Sequence, residues 1–177
     1  MEWEEILAKE KVLWRERPEE FVTLDQTYKP GFVIRAIVCS IIAVGLTTAY
    51  LLYTKGQNIS ILVLIVLWVI CGYSVLKDFL DASKLRKAEY IVTENYVIFS
   101  GKDSFAAEKK RIGAYQFKTD AAGHTALLAG NAIEEKPTKW RMAAVSEPVL
   151  EDEKESYNRF VLYGIKDVEG LKAAMEQ

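Results

Sequence analysis

The chain has 177 residues, of which 50% are hydrophobic and 27% are charged, and its formal net charge is -2. A net charge this small gives no support for nucleic-acid binding. One histidine excludes a multi-histidine metal site. The two cysteines, Cys39 and Cys71, lie inside apolar segments and form neither a disulfide framework nor a metal-ligand spacing. We therefore expect no metal and no cofactor.

The first thirty residues form a highly charged leader. Trp3, Ile6 and Leu7 fall at helical spacing and predict one or two turns of amphipathic helix. The sequence "KVLW" that follows is typical of extended chain, and Pro18 interrupts any helix. The short helix either lies on a membrane surface or packs against the C-terminal domain. Its acidic polar face favours packing, because surface-binding helices are usually rich in lysine and arginine.

Two long apolar segments follow, at 31–53 and 59–80. Between Gly31 and Leu80 the charges are restricted to four side chains: Arg35, Lys55, Lys77 and Asp78. An uncharged helix of about 18 residues spans about 27 Å, close to the hydrocarbon thickness of a bilayer. The alternative is a buried hairpin of a soluble protein. Neither segment has a polar face, so other elements would have to cover both completely. The sequence therefore predicts a two-helix transmembrane hairpin.

Positive charges predict the orientation of this hairpin. Among residues 54–58, between the helices, Lys55 is the only positively charged residue. The outer ends of the helices carry Lys29, Arg35, Lys77, Lys84, Arg86 and Lys87. By the positive-inside rule, both termini are cytoplasmic. We expect an integral, multi-pass protein of a cytoplasmic membrane.

Antiparallel helices around this turn bring Trp68 to the depth of Ala43. Small residues allow helix backbones to approach closely in lipid. We expect Trp68 to cover the surface from Ala43 to Thr47, and Cys39 to lie beside Cys71. The alternative is that Trp68 faces lipid or another subunit. The predicted helix-packing residues are Ala43, Thr47, Trp68, Gly72, Cys39 and Cys71.

After residue 84 the pattern changes to short strands separated by turn residues. The predicted strands lie in 88–95, 96–102, 111–119, 124–130, 141–146 and 158–165. The chain ends in a predicted helix that Asp167 caps, with Val168, Leu171 and Met175 as its apolar stripe. The region 85–177 is therefore predicted to be a small, mainly-β barrel or sandwich with a C-terminal helix.

Several of these motifs occur together in one known group. The charged leader "EKVLWRERP", two membrane helices, "YIVTENYVIFSGK" and a closing "FVLYGIKDVEGL" resemble the bacterial membrane proteins with a pleckstrin-homology-like (PH-like) domain, the YdbS/YdbT-like group. Tyr90, Val92 and Thr93 match the Tyr-x-Val-Thr of the first hairpin of that group. The resemblance implies a PH-like fold beside the inner leaflet and no particular activity.

No residue pattern predicts catalysis. The chain has no glycine-rich phosphate loop, no nucleophile elbow and no His-Glu-x-x-His. His124 in "AAGHT" is typical of a turn or strand start. The consecutive carboxylates in 147–155 indicate a solvated loop, with a divalent-cation site as the alternative.

Two basic groups are candidates for contacts with lipid headgroups, since each cation near an anionic surface contributes about 1 kcal/mol. These candidates are Lys84, Arg86, Lys87, Lys109, Lys110 and Arg111. The alternative is a stop-transfer flank and a solvated strand, because neighbouring carboxylates dilute both groups.

These features predict a membrane-tethered binding or scaffold module, not an enzyme, whose β-domain binds a protein partner or lipid. The alternative is a structural or accessory subunit of a larger membrane complex that contacts its partners, or other copies of itself, through the helices. Both hypotheses place the protein in the bilayer, and neither involves nucleic acid.

Overall fold

The computed structural model describes residues 3–53, 61–151 and 155–177. Hence the turn expected at 54–58 and part of the acidic run at 147–155 lie outside the described residues. The elements in chain order are α1 (Trp3–Lys9), β1 (Val12–Glu16), α2 (Lys29–Tyr53), α3 (Leu62–Arg86), β2 (Glu89–Thr93), β3 (Tyr96–Ser100), β4 (Phe105–Glu108), β5 (Tyr115–Thr119), β6 (Thr125–Gly130), α4 (Trp140–Ala144), β7 (Leu150–Glu151), β8 (Ser156–Tyr157), β9 (Arg159–Tyr163) and α5 (Val168–Glu176).

Helices α2 and α3 are both long and apolar enough to cross a membrane. Each has 25 residues, and only 6% and 0% of their most apolar windows are buried within the described chain. They therefore do not form the buried core that a soluble hairpin would require. Helix α2 begins two residues before the predicted segment 31–53, and α3 continues six residues beyond Leu80.

The end of α3 belongs to the core of the β-domain. Ala82 and Leu85, in its last two turns, are fully buried among the core side chains. Strand β2 begins at Glu89, three residues after α3 ends. No linker therefore separates the helix from the domain.

The leader supplies the first strand of a four-stranded sheet. The strand order is β1-β2-β3-β4, and all neighbours are antiparallel. In β1, Trp14 pairs with Val92 and its side chain enters the main core. The helical hairpin is therefore inserted between the first and second strands of the β-domain, and the leader, predicted as a separate region at 1–30, is part of that domain.

A second, three-stranded antiparallel sheet has the order β5-β6-β9. The main core contains side chains from both sheets, among them Tyr90, Phe99, Leu127 and Leu162. Strands β7 and β8 form a separate two-stranded pair. Within the described residues, the strands make open sheets and no closed barrel.

The C-terminal helix agrees with its sequence pattern. Asp167 accepts a hydrogen bond from Gly170 N at 2.9 Å and so caps α5. Leu171 and Ala174 are buried in the main core, and Val168 and Met175 pack against it. The Asp167 carboxylate also accepts a hydrogen bond from Trp14 Nε1 at 3.2 Å, which links α5 to β1.

The strand predicted at 141–146 is wrong, because these residues form helix α4. A short apolar run does not distinguish a strand from a buried helix by periodicity. Here Arg141, Ala143 and Ala144 are all buried, which is not the alternation of a strand. The preceding 3₁₀ turn at Pro137–Lys139 leads directly into the helix. Strands β4, β7 and β8 were not predicted from the sequence.

Helix α1 packs against the outer face of the four-stranded sheet. Ile6 is 3% exposed and lies in a second, small cluster with Ile91 and Ile98. The side chains on the opposite face of β2 and β3 enter the main core, so both faces of these strands are covered. The structure therefore shows α1 against the β-domain.

We expect Ile6→Ala to release α1 from the sheet. Truncating a buried isoleucine costs about 2–5 kcal/mol. If the free energy of opening α1 falls by more than about 1.4 kcal/mol, the rate of amide exchange rises at least about tenfold. Hydrogen–deuterium exchange of residues 3–9 measures this effect. Val149→Ala, at a side chain that is 70% exposed, is the control and should leave exchange unchanged. Unaltered exchange in the Ile6→Ala variant would contradict the packing.

Candidate functional site

Residues 17–28 run from β1 to the start of α2 across the surface of the β-domain, and a buried arginine holds them there. We call them the returning segment. We call this group the Arg141 cluster: Arg141 of α4, Asp25 and Tyr28 of the returning segment, Asp120 after β5 and Tyr163 of β9. Arg141 is 2% exposed. A buried charge is tolerated only when it is paired and hydrogen-bonded, so its partners decide whether this site is stable.

The Arg141 guanidinium lies over two aromatic rings of the returning segment. Its central carbon is 4.2 Å from the ring centroid of Phe21 and 3.9 Å from that of Tyr28. Contacts of this kind contribute about 2 kcal/mol or more when they are desolvated. A lysine has no planar group that could make both contacts together with the hydrogen bonds of the guanidinium.

The guanidinium also donates hydrogen bonds to the backbone and to a carboxylate. Nη1 donates to Thr23 O at 2.9 Å and to Val22 O at 3.3 Å. Nη2 donates to the Asp25 carboxylate and to the Tyr163 hydroxyl at 3.1 Å. Asp25 therefore supplies the countercharge, and the guanidinium recognises the bent backbone of the segment directly.

Asp25 has a second role at the start of α2. Its Oδ1 accepts from Thr27 N at 2.9 Å and from Tyr28 N at 3.1 Å. A carboxylate near the first turn of a helix satisfies free N–H groups and interacts favourably with the helix dipole. The same side chain thus pairs with Arg141 and orients the first turn of α2.

The two tyrosines connect the cluster to the rest of the domain. Tyr163 donates to Asp120 Oδ2 at 2.7 Å, and Tyr28 donates to Pro137 O at 2.8 Å while it accepts from Arg141 N. Burial raises the pKa of both hydroxyls above the ordinary value of 10. Both hydroxyls therefore remain protonated donors at neutral pH.

His124 lies at the edge of this cluster, immediately before β6. Its Nδ1 is 3.2 Å from the Glu19 carboxylate, and its ring packs edge-on against Phe21. These contacts attach the returning segment at one more point, and they place no nucleophile beside the imidazole. Among the described residues, no group of three histidine, cysteine or acidic side chains is arranged to hold a metal.

The Arg141 cluster has the properties of a structural clamp. Its charged and hydroxyl groups are hydrogen-bonded to one another or to backbone groups, apart from Arg141 Nε, which has no partner among the described residues. It joins four separate parts of the chain: the leader, the loop after β5, α4 and β9. Its chemical effect is to fix where α2 leaves the β-domain.

The six basic residues predicted to contact headgroups lie in two separate groups. In the group after the hairpin, Lys84 pairs with Asp103, and Arg86 donates to Thr23 Oγ1 at 2.7 Å and to Phe21 O at 3.1 Å. Lys87 is the exposed residue that ends α3. This group therefore serves partly to hold the returning segment.

The second basic group lies at the other end of β2. Lys109 donates to Ala174 O at 2.7 Å, and Lys110 and Arg111 both pair with Glu108. Lys109 also reaches Thr93 O, whereas the first group precedes Glu89. The length of β2 separates the groups by about 13 Å, so the structure does not combine them into one cationic surface.

The residues predicted for helix packing do lie between α2 and α3. Trp68 Nε1 donates to Thr47 Oγ1 at 3.2 Å, and Thr47 donates to Ala43 O at 2.6 Å. Ala43 is 1% exposed, whereas Trp68 remains half exposed. Cys39, Cys71 and Gly72 line one apolar cavity of about 260 Å³ next to Trp68.

Sequence reasoning missed the Arg141 cluster. One local signal was available, an arginine within the otherwise apolar "WRMAAV". Its partners Asp25 and Tyr163 lie 116 and 22 positions away along the chain. Only the fold brings them together.

No protein-family model, curated protein or solved structure matches this chain.

Replacing Arg141 should detach the returning segment. Arg141→Met removes the buried cation but leaves Asp25 in place, and breaking a buried pair in this way costs about 3–5 kcal/mol. Arg141→Lys should lose most of this stability as well, since lysine lacks the planar fork. Chemical unfolding of the detergent-solubilised chain measures the free energy.

A double-mutant cycle separates the pair from general damage. Asp25→Asn combined with Arg141→Met should cost clearly less than the two single changes added together, because neither buried charge is then left alone. Strict additivity would show that Asp25 and Arg141 act independently.

A polar cavity of about 300 Å³ lies at the end of the four-stranded sheet beside Lys109 and Lys110. Glu10, just after α1, holds the β2–β3 turn there: its carboxylate accepts from Thr93 Oγ1 at 2.6 Å and from Asn95 N at 3.1 Å. Burial acts to raise the pKa of Glu10, but these hydrogen bonds outweigh it and the pKa is lowered below 4.5.

The lowered pKa of Glu10 predicts a pH-dependent contribution to stability. The folded state favours the carboxylate, so the contribution is complete above the ordinary glutamate pKa and is lost as pH falls through the lowered value. Glu10→Gln should cost about 1 kcal/mol at neutral pH, or about 2–4 °C in Tm. Thermal unfolding of both proteins between pH 7 and pH 3 should show this difference shrinking. A difference that grows on acidification would contradict the assignment.

Proposed function

We propose that the chain is a membrane-tethered binding module. In this proposal the helical hairpin spans the cytoplasmic membrane of a bacterium, and a PH-like β-domain is held at the inner leaflet, where it binds a membrane protein partner. The β-domain carries the recognition surface, and the hairpin determines its position.

The exposed apolar helices support the membrane location. The side chains of α2 and α3 that point away from each other are large, apolar and exposed, as at Ile41, Leu52 and Val69. Soluble proteins rarely expose apolar areas of this extent. Two adjacent helices of 25 residues also match the thickness of a bilayer.

The topology of the four-stranded sheet supports placing both flanks of the hairpin on the same side of the membrane. Strand β1 precedes the hairpin and β2 follows it, yet the two are paired. Both ends of a membrane-spanning hairpin must then lie on one side. The basic residues Lys29, Lys84 and Arg86 are at that end, which by the positive-inside rule is the cytoplasm.

The observation that carries the proposal is the way the domain is attached. Helix α3 runs without interruption from its apolar span to Leu85 in the domain core. The start of α2 is fixed to the same domain through Tyr28 and Arg141. A domain attached at two points has a defined height and orientation at the membrane, as a recognition surface requires. Confinement to the membrane also raises the effective concentration of a membrane-bound partner.

The set of elements supports the PH-like assignment. An antiparallel sheet of four strands, a second sheet of three strands and a C-terminal helix packed on the core agree with what the sequence resemblance implies. In this chain the hairpin is inserted after the first strand.

Strand β5 offers a surface for a partner. It is the edge strand of the three-stranded sheet and has Gln116, Lys118 and Thr119 exposed. An edge strand has free backbone donors and acceptors that can pair with an extended segment of another protein.

The topology predicts opposite accessibility for the far end of α2 and for the β-domain. In a chain with Cys39 and Cys71 changed to alanine, Tyr53→Cys should react with a membrane-impermeant maleimide in intact cells. Lys102→Cys, on the β-domain, should react only after the membrane is permeabilised. Reaction of Lys102→Cys in intact cells would overturn the orientation.

Site-specific photocrosslinking in native membranes distinguishes the proposed module from the alternative. A photoreactive residue at Gln116 or Lys118 should yield one discrete protein adduct, whereas residues at Ile37 or Ile70 on the outer helix faces should yield mainly lipid adducts. The reverse pattern would support a structural subunit that contacts its partners through the helices. The half-exposed Trp68 and the apolar cavity beside it are the observations that favour this second function.

A further inference from the structure

A groove lies where the hairpin meets the β-domain. This groove has a volume of about 570 Å³ and is bounded by α2, α3 and α4. One wall is a single face of α2, at Gly31, Ile34, Arg35 and Val38. Lys77 on α3 and Lys139 before α4 belong to the opposite walls.

The groove combines two environments along its length. Ile34 and Val38 belong to the apolar span and are 64% and 47% exposed, so this part opens toward the hydrocarbon of the bilayer. The charged part lies at the cytoplasmic end of both helices. A molecule that fills the whole groove must therefore have an apolar chain and a polar head at the same depth as a membrane lipid.

Cationic donors at the polar end lack strong acceptors. Lys77 Nζ donates to the thioether sulfur of Met142 at 2.8 Å, and a thioether is a weak acceptor. Arg35 uses one nitrogen for Asp78, but its buried Nε has no hydrogen-bond partner among the described residues. Buried donors of this kind are normally satisfied.

The charges of the groove favour an anion. Arg35, Lys77 and Lys139 contribute three positive charges, against the carboxylates of Asp78 and Asp81. Asp78 is paired with Arg35, and Asp81 is close enough to interact with Lys77 and Lys84. One positive charge remains unbalanced, and it lies at the depth of the lipid phosphates.

We propose that this groove binds one anionic phospholipid of the inner leaflet. The phosphate oxygens accept hydrogen bonds from Arg35 Nε and Lys77 Nζ, and an acyl chain lies along Ile34 and Val38. Lys139 faces the headgroup from the β-domain. The bound lipid then contacts all three helices and joins the hairpin to the domain at a third point. This inference rests on the proposed membrane location and goes beyond it.

Native mass spectrometry of the full chain in detergent tests the proposal, with phosphatidylglycerol and phosphatidylcholine of identical acyl chains as probes. We expect one tightly bound phosphatidylglycerol and weaker binding of phosphatidylcholine. Lys77→Gln with Lys139→Gln should weaken phosphatidylglycerol binding roughly thirtyfold, since each cation contributes about fivefold. Lys87→Gln with Lys110→Gln removes the same charge outside the groove and should leave the binding unchanged.

A second variant blocks the groove without changing its charge. Gly31 has open space at the position of a Cβ atom, as does Gly45 farther along α2. Gly31→Leu should abolish the tight site for both lipids, and Gly45→Leu should not. Both replacements remove a glycine from α2, Gly31 in its first turn and Gly45 in its interior, so neither is expected to weaken folding.

The outcomes separate this inference from the proposed function. A chain that stays in the membrane fraction but binds the two lipids equally, or that responds equally to both pairs of lysine substitutions, overturns the lipid site alone. A chain that remains in the supernatant without detergent overturns the membrane location and the lipid site with it.

Discussion

The buried guanidinium of Arg141 is the contact on which the arrangement of this protein depends. The hairpin is inserted between β1 and β2, so the chain must leave the sheet, reach the start of α2 and come back at the end of α3. Helix α3 re-enters the domain core through Leu85 and needs no further support. The returning segment is not continuous with a core element in this way. Arg141 attaches it to the domain instead, through two aromatic rings, two backbone carbonyls and Asp25.

This constraint connects packing to function. A β-domain attached only through α3 would be free to pivot about the end of one helix. With α2 also fixed, at Tyr28, the domain has one orientation relative to the two long helices. The same attachment creates the groove between α2, α3 and α4, because this groove exists only while α4 is held against both helices. The proposed recognition surface and the proposed lipid site thus both depend on one buried cation.

Much of the fold could be predicted from the sequence where the signal is local. The hairpin follows from hydropathy over long segments, β2 and β3 from β-branched and aromatic residues, and the α5 cap from Asp167. Helix α4 could not, because five residues are too few for periodicity to distinguish helix from strand. The pairing of β1 with β2 and the partners of Arg141 depend on contacts between distant parts of the chain, which no local pattern encodes. The six basic residues were recognisable individually, but their distribution over both ends of β2 was not.

The most direct test of this account is the distance between the first helix and the β-domain in a bilayer. Spin labels at Val33 on α2 and Gln116 on β5, in a cysteine-free chain reconstituted into lipid nanodiscs, allow pulsed electron paramagnetic resonance to measure the distribution of this distance. The account predicts a single narrow distribution for the otherwise unaltered protein, because Arg141 and α3 fix the domain at two points. A broad distribution would show that the domain moves freely on its tether, and would contradict the central claim.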